Sequence, residues 1–131
     1  MKIGELARLT GTPVETIRHY EREGLLPAPA RTEANYRVYG APQAERLAFI
    51  RHCRALDMSL EEVRVLLRLR DTPQADCGDA NALLDAHIGH VSARIRALRQ
   101  LERQLRALRA QCGEVRSAQA CGILGALAAE A

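Results

Sequence analysis

Four cysteines, at positions 53, 77, 112 and 121, are the side chains of this 131-residue chain best suited to bond chemistry. Cys77 and Cys112 flank a long periodic stretch, and their separation of 35 positions corresponds to about 50 Å on a helix rising about 1.5 Å per residue. A zinc–sulfur bond is about 2.3 Å, so these two thiols of one chain cannot share an ion. In an antiparallel pair of such helices, Cys77 of one copy stands beside Cys112 of the other. The loop from Gly113 to Ala120 can then fold Cys121 back beside Cys112. Two equivalent three-thiolate sites per dimer follow, and three thiolates suit soft or borderline divalent ions: cadmium, lead, mercury and, less ideally, zinc. Cys53, within RHCRAL, reads instead as a small buried side chain. His87 and His90 are three apart on one helical face, the spacing for a second, weaker metal site, although solvent-facing or structural roles are favoured. Asn81, one turn beyond Cys77, offers a carbonyl oxygen but reads better as a capping or solvated residue.

A second group of residues suits contact with a polyanion. The formal net charge of +3 is unevenly distributed. Residues 1–70 hold 12 Lys and Arg against 9 Asp and Glu, whereas residues 71–131 hold 7 against 7. All three tyrosines (20, 36 and 39) lie in the basic half, where their hydroxyls and the neighbouring arginines can meet phosphate. No nucleophile–base pair, phosphate-binding glycine loop or paired carboxylates stand out, which argues against an enzyme. No apolar run is long enough for a membrane span, and the N-terminus lacks a signal-peptide layout, so a cytoplasmic protein is expected, with its thiols reduced.

The elements that must position these groups are helical. Hydrophobic residues make up 47% of the chain but aromatics only 3%, so burial must come mainly from Leu, Ile, Val and Ala. IGELARLT reads as a short helix ended by Gly11. Thr12-Pro13-Val14-Glu15 then has the form of a capping box with proline at the first helical position. The second helix has Val14, Ile17 and Tyr20 on its apolar side and stops near Gly24. Two short helices joined by a Gly-containing turn form a helix-turn-helix, or any helical hairpin of a bundle. Tyr36 to Tyr39 alternates as a strand, with Thr32 to Asn35 as a hairpin tip, which would make a wing. Helix returns after Pro42 to about Arg54, and Ser59-Leu60-Glu61-Glu62 opens another that Pro73 closes.

From Gly78 to Cys112 the apolar residues Leu84, Ile88, Val91, Ile95 and Leu98 alternate steps of four and three, as do Leu101, Leu105, Leu108 and Cys112. An extra step of three joins the two runs, which is a stammer. Arg94, Arg96, Arg99, Arg103, Arg106 and Arg109 lie outside this seam. A chain of short helices cannot bury so long a seam alone, and a second copy should cover it.

The segments IGELARLTGTPVETIRHYEREGLLP, NYRVYG and ERLAFIRHCRALDMSLEEVRVLL closely resemble the MerR family of transcription regulators, and the resemblance runs over nearly all of residues 1–112. It implies a mainly α fold in three parts. Residues 1–72 would be a winged helix-turn-helix DNA-binding domain, 73–112 a linker and long antiparallel coiled-coil dimerisation helix, and 113–131 a metal-binding loop with a short C-terminal helix. Thr16, Arg18, His19 and Tyr20 would lie at or near the major groove, with Tyr36, Arg37 and Tyr39 in a wing over the phosphate backbone. Position 19 usually carries an aromatic in this family, and here it is His19.

DCGDANALLDAHI and ACGIL resemble the cadmium- and lead-sensing branch (CadR/PbrR type). That implies Cd(II) or Pb(II) held by Cys112 and Cys121 of one subunit and Cys77 of the other, with Hg(II) or Zn(II) as alternatives. Monovalent copper sensors generally carry serine where Cys77 stands, and zinc sensors carry further Cys or His in the loop, which GEVRSAQA lacks. The implied function is a homodimeric regulator that binds double-stranded promoter DNA with an over-long spacer. On binding metal it distorts that DNA, so that RNA polymerase can use the misaligned elements. A mercury- or zinc-responsive regulator, or a thiol redox sensor of the same fold, is the alternative.

Overall fold

The computed structural model describes residues 1–129. Glu130 and Ala131, the end of the expected 113–131 segment, lie outside the described residues. The described residues form six α-helices: α1 (Ile3–Thr10), α2 (Val14–Arg22), α3 (Ala41–Ala55), α4 (Leu60–Arg70), α5 (Gly78–Arg109) and α6 (Gly122–Ala129). A hairpin of β1 (Ala30–Arg31) and β2 (Arg37–Val38) separates α2 from α3, and a 3-10 turn at Ala118–Ala120 precedes α6. The chain divides into two compact units, residues 1–83 and 84–131, and the division falls within α5. No helix among the described residues is long and apolar enough to cross a membrane.

In the first unit the helix-turn-helix forms with one correction. α1 stops at Gly11, whose φ of 64° is the left-handed conformation that glycine adopts at little cost. The capping box expected at Thr12 is absent. Pro13 has ψ 145°, so helical geometry begins one residue later, and no side chain caps α2. Thr12 is buried, and its hydroxyl donates back to the Thr10 carbonyl at 3.4 Å. The box at Ser59 does form: Ser59 Oγ accepts from the Glu62 N–H at 3.2 Å, and Glu62 accepts from the Ser59 N–H at 2.9 Å.

Leu6, Ile17, Leu47, Ile50 and Val63, all at 0% exposure, centre a core to which α1, α2, α3 and α4 each contribute. Burial of each such aliphatic side chain stabilises the unit by about 1.5–3 kcal/mol. Cys53 joins this core, and burial pushes its thiol above the ordinary range, in keeping with its reading as a packed small residue.

Several basic residues of this half serve the fold. Arg46 donates to the Leu25 carbonyl and forks onto Asp71 at 2.8 and 3.0 Å. Arg51 donates to the Thr10 carbonyl at the end of α1, Arg54 to the Met58 carbonyl, and Arg64 to the Glu23 carbonyl and carboxylate. These guanidinium groups satisfy carbonyls that helix ends and turns leave without a partner.

In the second unit the stammer passes through α5 without a break. The seam residues Leu84, Ile88, Val91, Ile95, Leu98, Leu101 and Leu105 are 38–61% exposed in the single chain. An apolar stripe left this open on a regular helix is a surface awaiting a partner.

Candidate nucleic-acid interface and metal centre

α2 is the helix that would read DNA. Its apolar side packs inward through Ile17 and Tyr20, which turns Arg18, His19 and Arg22 to solvent with Thr16 half-buried at the edge. Tyr20 was expected at or near the groove, but it is 8% exposed and belongs to the core. Its ring centroid lies 6.2 Å from that of exposed His19, the two planes tilted by 45°.

The wing divides its residues in the same way. Tyr36 and Arg37 are exposed, at the tip and on β2. Asn35, at φ 66°, turns the tip, and the Thr32 hydroxyl accepts from the Tyr36 N–H at 3.1 Å. Tyr39 corrects the sequence expectation: it is 1% exposed, and its hydroxyl donates to Glu21 at 2.5 Å. Burial first, then that bond to a carboxylate, raise its pKa. Tyr39 therefore anchors the wing and does not present a donor to phosphate. Two residues missed in the sequence complete the surface. Glu21 also accepts from Arg37 at 3.3 Å, and Arg22 stands one turn beyond Arg18. Arg18, Glu21, Arg22 and Arg37 line a recess of about 420 Å³. Arg18 and Arg37 also border a neighbouring cleft of about 540 Å³ with Lys2, Tyr36 and Tyr39. The spacing of Arg18 and Arg22, four apart on one helix, was the signal available for the second arginine.

The thiols occupy helix ends. Cys77 is exposed at the start of α5, where its carbonyl accepts the first helical bond, from the Asn81 N–H at 3.0 Å. The Asn81 side-chain amide reaches the Cys77 sulfur at 3.9 Å. Cys121 holds the equivalent place before α6, its carbonyl accepting from the Gly125 N–H at 3.1 Å. The Cys121 thiol is held below its usual range, most by the Leu124 N–H, less by the Ile123 N–H and a hydrogen bond with Cys112, while burial opposes them. Oriented N–H groups at a helix start favour the thiolate, the form that binds metal.

Cys112 and Cys121 are therefore brought together within one chain, as the fold-back of the loop requires. A side chain at Gly122 would collide with the Gln111 backbone, so its glycine lets α6 start directly against the end of α5. The Cys112 thiol donates to the Glu114 carbonyl at 3.1 Å. His87 and His90 both fall within α5, three residues apart.

Two family descriptions match this chain: "MerR HTH family regulatory protein" over residues 1–69 and "MerR, DNA binding" over residues 44–108. An HTH-type transcriptional regulator, ZntR homolog, of Haemophilus influenzae is 46% identical over 109 residues, which cover 83% of this chain and 81% of that protein. The structure of the transcription regulator PbrR691 from Ralstonia metallidurans CH34 in complex with lead(II) superposes with a TM-score of 0.87 at 52% identity, over 97% of this chain and 98% of that one. The dual-function transcriptional regulator MerR of Bacillus megaterium MB1, in complex with mercury(II), gives a TM-score of 0.73 at 33% identity, over 98% and 99% of the two chains.

Proposed function

The chain belongs to the MerR HTH family of regulatory proteins, and from that premise we propose that it activates transcription in response to cadmium(II) or lead(II). The family comprises transcriptional regulators and not enzymes, and this member is a metal-responsive one that binds promoter DNA as a homodimer. The observation that carries the choice of ion is the Cys112–Cys121 pair, two adjacent thiols with one favoured as thiolate by α6. Cys77, exposed at the start of α5, supplies the third sulfur from the other subunit when two α5 helices pair antiparallel. The donor set is all sulfur, which suits a soft divalent ion. An ion held there supplies bonds that tie the tail of one subunit to the helix start of its partner.

Arg18, His19, Arg22, Tyr36 and Arg37 form the DNA face, with Thr16 at its edge. Arg18 reads a base edge or phosphate, while Arg37 and Tyr36 meet the phosphate backbone. Distortion of an over-long promoter spacer then lets RNA polymerase engage its elements. The lead-bound relative, at 52% identity over nearly the whole chain, supports this choice of branch. The mercury-bound relative supports mercury(II) as the second reading.

The test is metal stoichiometry on a heterodimer of a Cys77→Ser chain and a Cys112→Ser chain, isolated through two different affinity tags. An intersubunit site leaves one complete three-sulfur site in that heterodimer and none in either mutant homodimer. A heterodimer that binds no tight ion refutes the shared site. Reporter induction at matched free-ion levels, with zinc the strongest inducer, would refute the choice of ion.

A further inference from the structure

We infer that Glu21 is a positioning residue for DNA binding, its one carboxylate holding the wing and the wing's guanidinium group in the arrangement that meets phosphate. The inference rests on the DNA-binding reading above. The two carboxylate oxygens have separate tasks: one accepts from the Tyr39 hydroxyl at 2.5 Å, the other from Arg37 at 3.3 Å. The Glu21 side chain is 11% exposed, so it forms part of the wall behind Arg37 and is not a freely moving surface charge.

The wing needs such a tie. β1 and β2 are two residues each, and all four residues are exposed, so the hairpin has little packing with which to hold its own direction. Tyr39, at its base, is packed in the core, and its N–H donates to the Met1 carbonyl at 2.7 Å. A continuous path therefore runs from the core through Tyr39 to Glu21 and on to Arg37. Glu21 also lines the recess bordered by Arg18, Arg22 and Arg37, three cations around one carboxylate. Without that carboxylate the three would repel one another, and Arg37 would lose the bond that orients it. Guanidinium carries five N–H donors, so a bond to Glu21 leaves Arg37 able to reach a phosphate as well.

The sign of the effect separates this role from mere proximity. A carboxylate beside DNA that did nothing else would repel the backbone, and removing it would tighten binding. A positioning carboxylate has the opposite sign.

The experiment uses the purified dimer and a duplex that the wild-type protein selects from a random-sequence pool, with affinity measured across a salt series. Glu21→Ala is expected to bind at least tenfold more weakly with a shallower salt dependence, because Arg37 is no longer delivered to phosphate. Glu21→Gln keeps an acceptor for Tyr39 but loses the charge, and should fall between the two. It also carries the test if Glu21→Ala fails to fold. In an Arg37→Ala background the further loss from Glu21→Gln should be small. Tighter or unchanged binding by Glu21→Gln, at an unchanged salt slope, overturns the inference while leaving the DNA-binding reading intact. Wild-type protein that selects no duplex overturns both.

Discussion

Replacing Gly122 by alanine tests how closely the tail must sit on α5 for the thiols to act together. A Cβ at this position would lie inside contact distance of the Gln111 carbonyl oxygen, with the Gln111 carbonyl carbon at 3.0 Å and its Cβ at 3.3 Å. The obstacle is backbone, so it cannot swing aside as a side-chain tip would. Relief requires the start of α6 to move by about 1 Å, whereas metal–sulfur distances tolerate deviations of only about 0.2 Å. Cys121 immediately precedes Gly122, so the displacement falls on the ligand itself. Loss of positioning around a metal typically costs about 10–100-fold in affinity, or roughly 1.4–2.7 kcal/mol. The assay is competition titration with cadmium(II), followed by thiolate charge-transfer absorbance in the near ultraviolet. Gly125→Ala, one turn further along α6 with nothing within 4 Å of a new Cβ, is the control and should bind as wild type does. If Gly122→Ala matches wild type in both affinity and absorbance, the close seating of α6 has no bearing on the site.

Arg18→Ala should weaken operator binding by about 1–3 kcal/mol with or without metal, and gel-shift affinities equal to wild type would remove it from the interface. Arg37→Ala should weaken binding to all sequences alike and flatten the salt dependence; an altered base preference at an unchanged slope would contradict its place on the backbone. Asp71 is held below its ordinary pKa chiefly by its hydrogen bond from Arg46, so the stability it contributes is present above the ordinary carboxylate pKa and lost as pH falls through the lowered one. Asp71→Asn should therefore cost no more than about 1 kcal/mol near neutrality, the pair being partly exposed, and nothing in strong acid; a melting-temperature difference that persists there would contradict this. In metal-free protein iodoacetamide should modify Cys121 first and Cys53 last, as mass spectrometry of timed digests would show, and early alkylation of Cys53 would contradict its place in the core.

The features legible in the sequence were local ones. α5 announces itself through the steps from Leu84 to Leu108, α4 through the Ser59–Glu62 box, and the hairpin through the turn before Tyr36. What stayed hidden depends on contacts between distant residues. Tyr20 and Tyr39 are of a type that suits either a core or a phosphate contact, and only packing decides between them. Glu21 bonds partners 16 and 18 residues away, and Arg51 and Arg64 reach carbonyls 41 residues away; no periodicity reports such pairs. That is why charge counting overstated how much of the basic half is available to DNA. Thr12 misled for a smaller reason: a capping pattern states which bond is offered, and the extended Pro13 shows that the offer was declined.

The stammer in α5 has a consequence for how two copies meet. The step from Leu98 to Leu101 is one residue short of the four that the alternation requires there, which sets the second half of the seam back by about 100° around the helix. In the antiparallel pair proposed above, with Cys77 set against Cys112, position 98 of one copy faces position 91 of the other. The two short steps then stand about ten residues, roughly 15 Å, apart, one on each side of the pair's midpoint. Each falls against a regular stretch of the partner, and between them, from Val91 to Leu98 of both copies, the alternation is unbroken. The middle of the pair is therefore where the two seams mesh most regularly, and the irregular contacts lie toward the two ends that carry the thiols.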